Sequence, residues 1–356
     1  MTSPRADSAE PYSRAADMAA PMKSYLPPIA ITGATGFIGS AVARRLSAAG
    51  YRLRALVRPG SIHKASGGFS AERILGDLED VASLRRLLDG AAAVVHCAGV
   101  VRGAGPADFD RVNASGAAHL IREAAGQRPT PRFLWISSLA AREPALSPYA
   151  ASKRRGEAIL AAESAGMPWT VLRPPAVYGP GDREIRPLFE WMRRGIAPVI
   201  GPVDSRLSLL YVSDLADAIL RIVEQETAPR RVYELHDGRA GGYSWQEIID
   251  AVEGLGSRPI LRVRIPAAAL NAAAAANLAF ARIGRRAPML TPGKVRELCH
   301  PDWVCDNGAL SADTGWRPRI DLGEGLRRTL LPGHASAVRR HQNGAPSRQR
   351  SRPERA

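Results

Sequence analysis

The stretch Ile29-Ala30-Ile31-Thr32-Gly33-Ala34-Thr35-Gly36-Phe37-Ile38-Gly39-Ser40 constrains this chain more than any other. It reads as a short apolar strand, a turn with glycines at 33, 36 and 39, and a helix running to about Ala49. Gly33 permits a tight turn out of the strand. Gly36 removes a side chain where backbone must approach a pyrophosphate, and Gly39 lets the helix pack closely on the sheet. The helix start offers free N–H groups and a partial positive charge to phosphate. The triplet alone also fits an ordinary strand–turn–helix, and the strands and helices downstream of it decide between the two.

A second strand, Tyr51–Arg58, ends in a guanidinium. A nicotinamide dinucleotide site that prefers NAD places a carboxylate there for the ribose 2′-hydroxyl. Arg58, with Lys64 adding charge nearby, suits a 2′-phosphate instead, so NADP(H) is favoured over NAD(H). Arg73–Asp77 reads as a third strand, Val81–Leu88 as a helix, and Ala93–Gly99 as a buried fourth strand ending in small residues. Phe109 to about Gly126 is helical, with Asn113 early in it. Phe133-Leu134-Trp135-Ile136-Ser137-Ser138 makes a fifth strand that ends in two hydroxyls. This alternation predicts an α/β fold with a doubly wound parallel sheet. Ligands of such sheets bind beyond the carboxyl ends of the strands. The glycine turn, Arg58, Asp77, Ala98–Gly99 and Ser137–Ser138 all fall at that edge.

Tyr149 and Lys153 come next, four residues apart on one face of a helix that reaches about Ser164. An ammonium beside a phenol favours the phenolate, which predicts a lowered Tyr149 pKa and a proton donor or acceptor usable near neutral pH.

With these residues in view, the chain resembles the extended short-chain dehydrogenase/reductase family, also called the NAD-dependent epimerase/dehydratase family. The matching pieces are Thr32–Gly39, Gly76-Asp77-Leu78, Val112-Asn113, Ile136-Ser137-Ser138, Tyr149-x-x-x-Lys153, Leu172–Asp182 and Tyr211–Ala216, with Gly315-Trp316-x-Pro318 and Leu322-x-x-Gly325-Leu326 near the end. The resemblance covers about residues 28–332. It implies a Rossmann domain over 28–183 and a smaller C-terminal α/β substrate domain over 184–332, interleaved with the last Rossmann elements. It implies that Tyr149 is the catalytic acid/base, that Lys153 holds the nicotinamide ribose and tunes Tyr149, that Ser138 rather than Ser137 bonds the reacting carbonyl, and that Asn113 supports a proton relay. The cofactor would lie along Thr32, Gly33, Thr35, Gly36, Phe37, Ile38 and Gly39. It would continue past Arg58, Asp77 and Leu78 at the adenine, Ala98 and Gly99, and Pro174 and Val177 beside the nicotinamide.

One departure bears on the substrate. Only ten residues separate Ser138 from Tyr149. Nucleotide-sugar epimerases and dehydratases have a longer insert there, and it carries sugar contacts. Further on, Ile265–Ala281 is Ala-rich and without charge, and Arg282, Arg285 and Arg286 come after it, then Pro288–Leu298. This segment resembles the substrate domain of the 3β-hydroxysteroid dehydrogenase branch and of bacterial lipid reductases, including those acting on 3-keto ceramides. The expected activity is interconversion of a ketone and a secondary alcohol on an apolar, lipid-like substrate. The alternatives are a nucleotide-sugar epimerase or dehydratase, and a non-catalytic relative, against which the paired Tyr149 and Lys153 argue.

The formal charge of +15 is uneven: residues 334–356 hold six arginines against Glu354. Residues 1–27 and 333–356 read as a disordered leader and a basic disordered tail. No aromatic-rich basic motif supports nucleic acid. Segment 265–298 and the tail leave peripheral contact with a membrane open. No run is long and apolar enough for a spanning helix, and residues 1–27 hold no signal-peptide core. Cys97, Cys299 and Cys305 match no common metal pattern, so no metal is expected and a reducing cytoplasm is the simplest compartment. Homodimer formation, frequent in the resembled family, stays open.

Overall fold

The structure, a computed structural model, describes residues 26–64, 68–225, 230–256, 259–284, 288 and 290–331. The tail expected over 333–356 and nearly all of the leader lie outside the described residues. So do Arg285, Arg286 and the side chains of Lys64 and Arg282.

In chain order the first half gives β1 (Ile29–Thr32), α1 (Phe37–Ala48), β2 (Leu53–Val57), β3 (Glu72–Leu75), α2 (Val81–Leu88), β4 (Ala93–His96), α3 (Pro106–Asp110), α4 (Ala117–Ala125), β5 (Arg132–Ile136), α5 (Pro148–Glu163) and β6 (Trp169–Arg173). The second half gives β7 (Ala176–Tyr178), α6 (Arg186–Arg193), β8 (Ile196–Ile200), β9 (Arg206–Leu207), β10 (Leu209–Tyr211), α7 (Val212–Glu224), β11 (Arg231–Glu234), β12 (Tyr243–Ser244), α8 (Trp245–Glu253), β13 (Leu261–Ile265), α9 (Ala267–Gly284), α10 (Pro292–Leu298), β14 (Asp302–Trp303), α11 (Gly308–Thr314) and α12 (Leu322–Leu330).

Seven parallel strands form one sheet in the order β3-β2-β1-β4-β5-β6-β11. Successive side chains of a strand point to opposite faces, and here both faces are covered. Ile29, Ile31, Val95, Leu134 and Ile136 pack toward α1 and α7 through Val42, Leu46, Leu215 and Ile219. Ala30, Val94, Phe133 and Trp135 pack toward α2, α4 and α5 through Leu84, Leu87, Leu120, Ile121 and Leu160. The strand order reverses between β1 and β4, and that reversal opens a crevice at their carboxyl ends.

Beyond this sheet β7 pairs with β10, β8 with β13, and β9 with β12 and β14. A third core of Tyr178, Phe189, Met192, Leu209, Ile248, Ile249 and Leu326 joins α6, α8 and α12. The buried Asp214 carboxylate accepts from the Arg319 and Ile320 amides, both at 2.9 Å, and so ties the start of α7 to the chain after Trp316.

The run Leu207–Val212 breaks at buried Ser208. Its two parts join different sheets, and Val212 already opens α7. The expected helix over Phe109–Gly126 is continuous but contains a wide π-turn at Arg111–Gly116. Helix α9 turns much of its surface outward, with Phe280 74% exposed, and is held by Leu270 and Ala274 against Val295. Among the described residues no helix is long and apolar enough to cross a membrane.

Candidate active site

Gly33 leaves β1 with φ at +72°, and a methyl group added there would lie 2.6 Å from the Ala98 amide nitrogen. The turns after β1 and β4 therefore touch at the point where the strand order reverses. A methyl on Gly39 would lie 2.1 Å from the Gly33 carbonyl oxygen, so α1 is pressed against the turn itself. Gly36 is exposed. Its only near neighbour for an added methyl is the Gly33 carbonyl at 3.3 Å, and it starts α1 without a side-chain cap. Among the described residues the first-turn amides thus meet no side-chain acceptor, as an anion-binding helix start requires. Thr35 is half-buried, and half-buried Phe37 and Ile38 pack on the core beneath. Thr32 anchors the turn from below: its hydroxyl meets the Nδ1 of buried His96 at 2.7 Å and accepts from the Ala98 amide at 3.2 Å. Burial, with the Lys153 charge nearby, pushes the His96 pKa down to about 3.

At the same sheet edge, Ser138 comes after β5 and Tyr149 opens α5. The Ser138 hydroxyl lies by the Tyr149 phenol, where it favours the ionised form, and it accepts from the Ala140 amide at 3.2 Å. Ser137 points elsewhere. It donates to buried Glu157 at 2.5 Å, and Glu157 also holds Arg173 through two hydrogen bonds. Lys153, 5% exposed, donates to the Ile136 carbonyl at 3.2 Å and lies next to Gly99, where an added methyl would be 3.1 Å from Nζ. Burial lowers the Lys153 pKa to about 8.

The phenol departs from the expectation of a lowered pKa. Burial pushes Tyr149 up to about 12; the Ser138 hydrogen bond opposes this, and the carboxylates of Glu297 and Glu184 add to it. Desolvation is the largest effect on the phenol, and the Lys153 ammonium donates to the Ile136 carbonyl.

Asn113 sits inside the π-turn, buried. Its amide accepts from the Val100 amide (2.9 Å), donates to the Val100 carbonyl (3.0 Å) and donates to Ser152 (3.0 Å), whose hydroxyl donates to the Tyr149 carbonyl. Gly156 lets α5 approach, since a methyl there would lie 2.4 Å from the Asn113 carbonyl. A wide helical turn of this kind frees backbone groups and recurs at functional sites.

Arg58 is exposed just past β2, and its guanidinium has no recorded partner among the described residues. Exposed Asp77 receives the Glu79 and Asp80 amides on Oδ1. Leu78 is buried against Gly116. The Pro174 carbonyl accepts from the Leu139 amide at 2.9 Å, which lays this stretch beside Ser138, and Val177 is buried in the first core.

Phe109, Glu184 and Glu297 act on Tyr149 yet carry no motif, so the sequence does not single them out. Phe109 meets the Tyr149 ring edge-on at 6.1 Å. Arg102 pairs with Glu184 at 2.8 Å. Glu297, buried on α10, receives the Ser147 hydroxyl and pairs with Lys294 at 2.9 Å. Asp182 is the one sequence signal near Glu184: its carboxylate accepts from the amides of Glu184, Ile185 and Arg186, as a helix-starting Asp does. A separate open cavity of about 470 Å³ is lined by Asp237, Tyr243 and Asp321. There Tyr243 donates to Asp237 and Asp321 caps α12, so these groups are already engaged.

Residues 29–235 match the NAD dependent epimerase/dehydratase family. The chain is 39% identical to the ceramide reductase of Caulobacter vibrioides over 305 residues, covering 85% of this chain and 93% of that one. It is 26% identical to a 3 beta-hydroxysteroid dehydrogenase/Delta 5-->4-isomerase of Mycobacterium tuberculosis, covering 89% and 93%. Its fold is shared with UDP-glucuronic acid 4-epimerase from Bacillus cereus, solved in complex with UDP-glucuronic acid and NAD, at a TM-score of 0.65 and 19% identity, covering 85% of this chain and 97% of that one.

Proposed function

The chain belongs to the NAD dependent epimerase/dehydratase family, and from that premise we propose that it is an NADP-preferring reductase of a ketone on a long-chain lipid, of the 3-keto-ceramide or 3-keto-sphingoid class. The observation that carries this reading is the placing of Ser138, Tyr149 and buried Lys153 together at the carboxyl edge of the sheet, with the Lys153 ammonium beside Gly99. Two hydroxyls meet where one carbonyl oxygen can accept from both.

The residues present fit a nicotinamide dinucleotide. The uncapped start of α1 at Gly36 suits its pyrophosphate, and the exposed guanidinium of Arg58 suits a 2′-phosphate. When bound, the reduced dinucleotide supplies the hydride. Ser138 donates to the substrate carbonyl and polarises it. Tyr149, protonated across the neutral range, gives its proton to the oxygen as the negative charge develops there. Lys153 holds the ribose and supplies positive charge beneath the phenol, and Asn113 fixes the backbone on which Tyr149 stands.

The lipid substrate is supported by the short Ser138–Tyr149 connection and by the ceramide reductase relative. The run Ala267–Ala281 of α9 carries no charged residue and exposes Phe280, which suits a lipid surface from which such a substrate would be drawn.

The test is oxidation of NADPH and NADH by purified protein offered a 3-keto-ceramide, a steroid ketone and UDP-sugars. Faster turnover of the keto-lipid with NADPH, lost in Tyr149→Phe, is expected. Conversion of a UDP-sugar without keto-lipid turnover would overturn the reading in favour of an epimerase.

A further inference from the structure

The carboxylate of Glu184, on a side chain 31% exposed, engages its two oxygens differently. Oε1 receives Arg102 at 3.0 Å, whereas Oε2 is shut off from solvent and has no hydrogen-bond partner among the described residues. The backbone beneath it is fixed by Asp182, which accepts from the amides of 184, 185 and 186 at 2.8–3.0 Å. A chain of contacts joins this carboxylate to the chemistry. Arg102 precedes Gly103, where an added methyl would lie 2.9 Å from the Phe109 ring, and that ring packs edge-on against Tyr149. The Glu184 charge is among those that act on the Tyr149 phenol. Arg102 and Glu184 thus link the loop after β4 to the loop after β7.

A buried acceptor left unpaired is costly, and a site that contains one rejects ligands that bring no donor to it. We propose that Glu184 is a substrate-binding residue whose free oxygen accepts a hydrogen bond from a hydroxyl or amide N–H next to the reacting carbonyl, with Arg102 orienting the carboxylate. The inference rests on the ketone-reductase reading above and narrows it. The preferred substrate is a ketone with a polar donor on a neighbouring carbon, which an unadorned long-chain ketone or a steroid ketone lacks.

The test compares two ketones of equal chain length, a 2-acylamino-3-ketone and a plain 3-ketone, by kcat/KM with NADPH. The wild-type protein should prefer the first by at least about tenfold. Glu184→Ala should bring the ratio toward one while NADPH affinity, read by fluorescence, is retained. Should that variant not fold, Glu184→Gln reads the same ratio. With its carbonyl paired to Arg102, its NH₂ takes the place of Oε2 and opposes a substrate donor, so the preference falls. A wild-type ratio near one, or a ratio unchanged in the variants, overturns the role of Glu184. Turnover of neither ketone by the wild-type protein instead overturns the reductase reading, and the inference with it.

Discussion

The hydroxyl of Ser147 donates to the buried carboxylate of Glu297, a residue 150 positions further along the chain. Ser147 also caps α5, accepting from the Ala150 amide at 3.0 Å. The cap of the helix that carries Tyr149 is therefore held by α10. Gly293 makes the approach close, since a methyl there would lie 3.0 Å from both Pro148 and Ser147, and Arg296 donates to the Leu146 carbonyl at 2.7 Å. Ser147→Ala should cost about 1 kcal/mol in urea denaturation. Because the Glu297 charge raises the Tyr149 pKa, Glu297→Gln should move the Tyr149 transition to lower pH. The tyrosinate absorbance difference between each protein and its Tyr149→Phe counterpart measures that shift.

Tyr149→Phe removes the proton donor and leaves the nucleotide turn untouched. On the proposed mechanism, kcat for ketone reduction should fall by about 10²–10⁴ while NADPH affinity holds. Ser138→Ala should lose about 10²-fold, the scale of one donor to a developing oxyanion. Ser137→Ala should act on stability instead, because it leaves Glu157 one partner short. Steady-state kinetics beside thermal melts separates the three.

Lys153 is a buried ammonium whose pKa is lowered to about 8 by desolvation, from an ordinary 10.5. Below pH 8 both folded and unfolded chains hold its proton, and the folded state bears the full cost of burying it. Between about 8 and 10.5 the unfolded chain still binds the proton and the folded one does not, so stability from this group rises with pH. Lys153→Met should therefore be more stable than the wild-type protein by about 3 kcal/mol at pH 7. The difference should vanish toward pH 10.5, as tracked by denaturant melts at several pH values. On the proposed mechanism kcat/KM for reduction falls above about pH 8 in the wild-type protein, as Lys153 loses its charge while Tyr149 stays protonated.

Arg58 has no recorded competitor for its guanidinium among the described residues. Arg58→Glu should weaken NADPH binding by about tenfold or more and leave NADH binding equal or tighter. Fluorescence titration with both nucleotides checks this, and equal loss of the two would show that the side chain does not meet the 2′-phosphate.

Much of the sheet is legible in the chain because each strand carries its own signal. Helix Val81–Leu88 is found end to end, with Asp80 capping it through the Ala82 and Ser83 amides. The break at Ser208 is not legible. A largely apolar run of six residues reads the same whether it makes one strand or two, and distant partners mark the division: the Trp303 carbonyl accepts from the Ser208 amide, and the Ser208 hydroxyl accepts from the Cys305 amide. The π-turn around Asn113 likewise depends on distant packing, with Gly116 on Leu78 and Gly156 on the Asn113 carbonyl. The sign of the Tyr149 shift needed a burial that residue spacing cannot supply. Arg102, Glu184 and Glu297 escape notice for the same reason: they are ordinary charged residues whose meaning lies in what they face.

The seventh strand has a practical consequence for anyone dissecting this protein. β11 completes the main sheet beside β6, yet it is made from residues 231–234, after β7 to β10 have already been laid down in other sheets. A fragment ending at residue 183 would therefore present β6 as an open edge, with its ladder of amides and carbonyls free to recruit a second chain. A nucleotide-binding fragment that stays monomeric has to carry the strand along, by grafting residues 230–235 behind a linker rather than by cutting the chain in two.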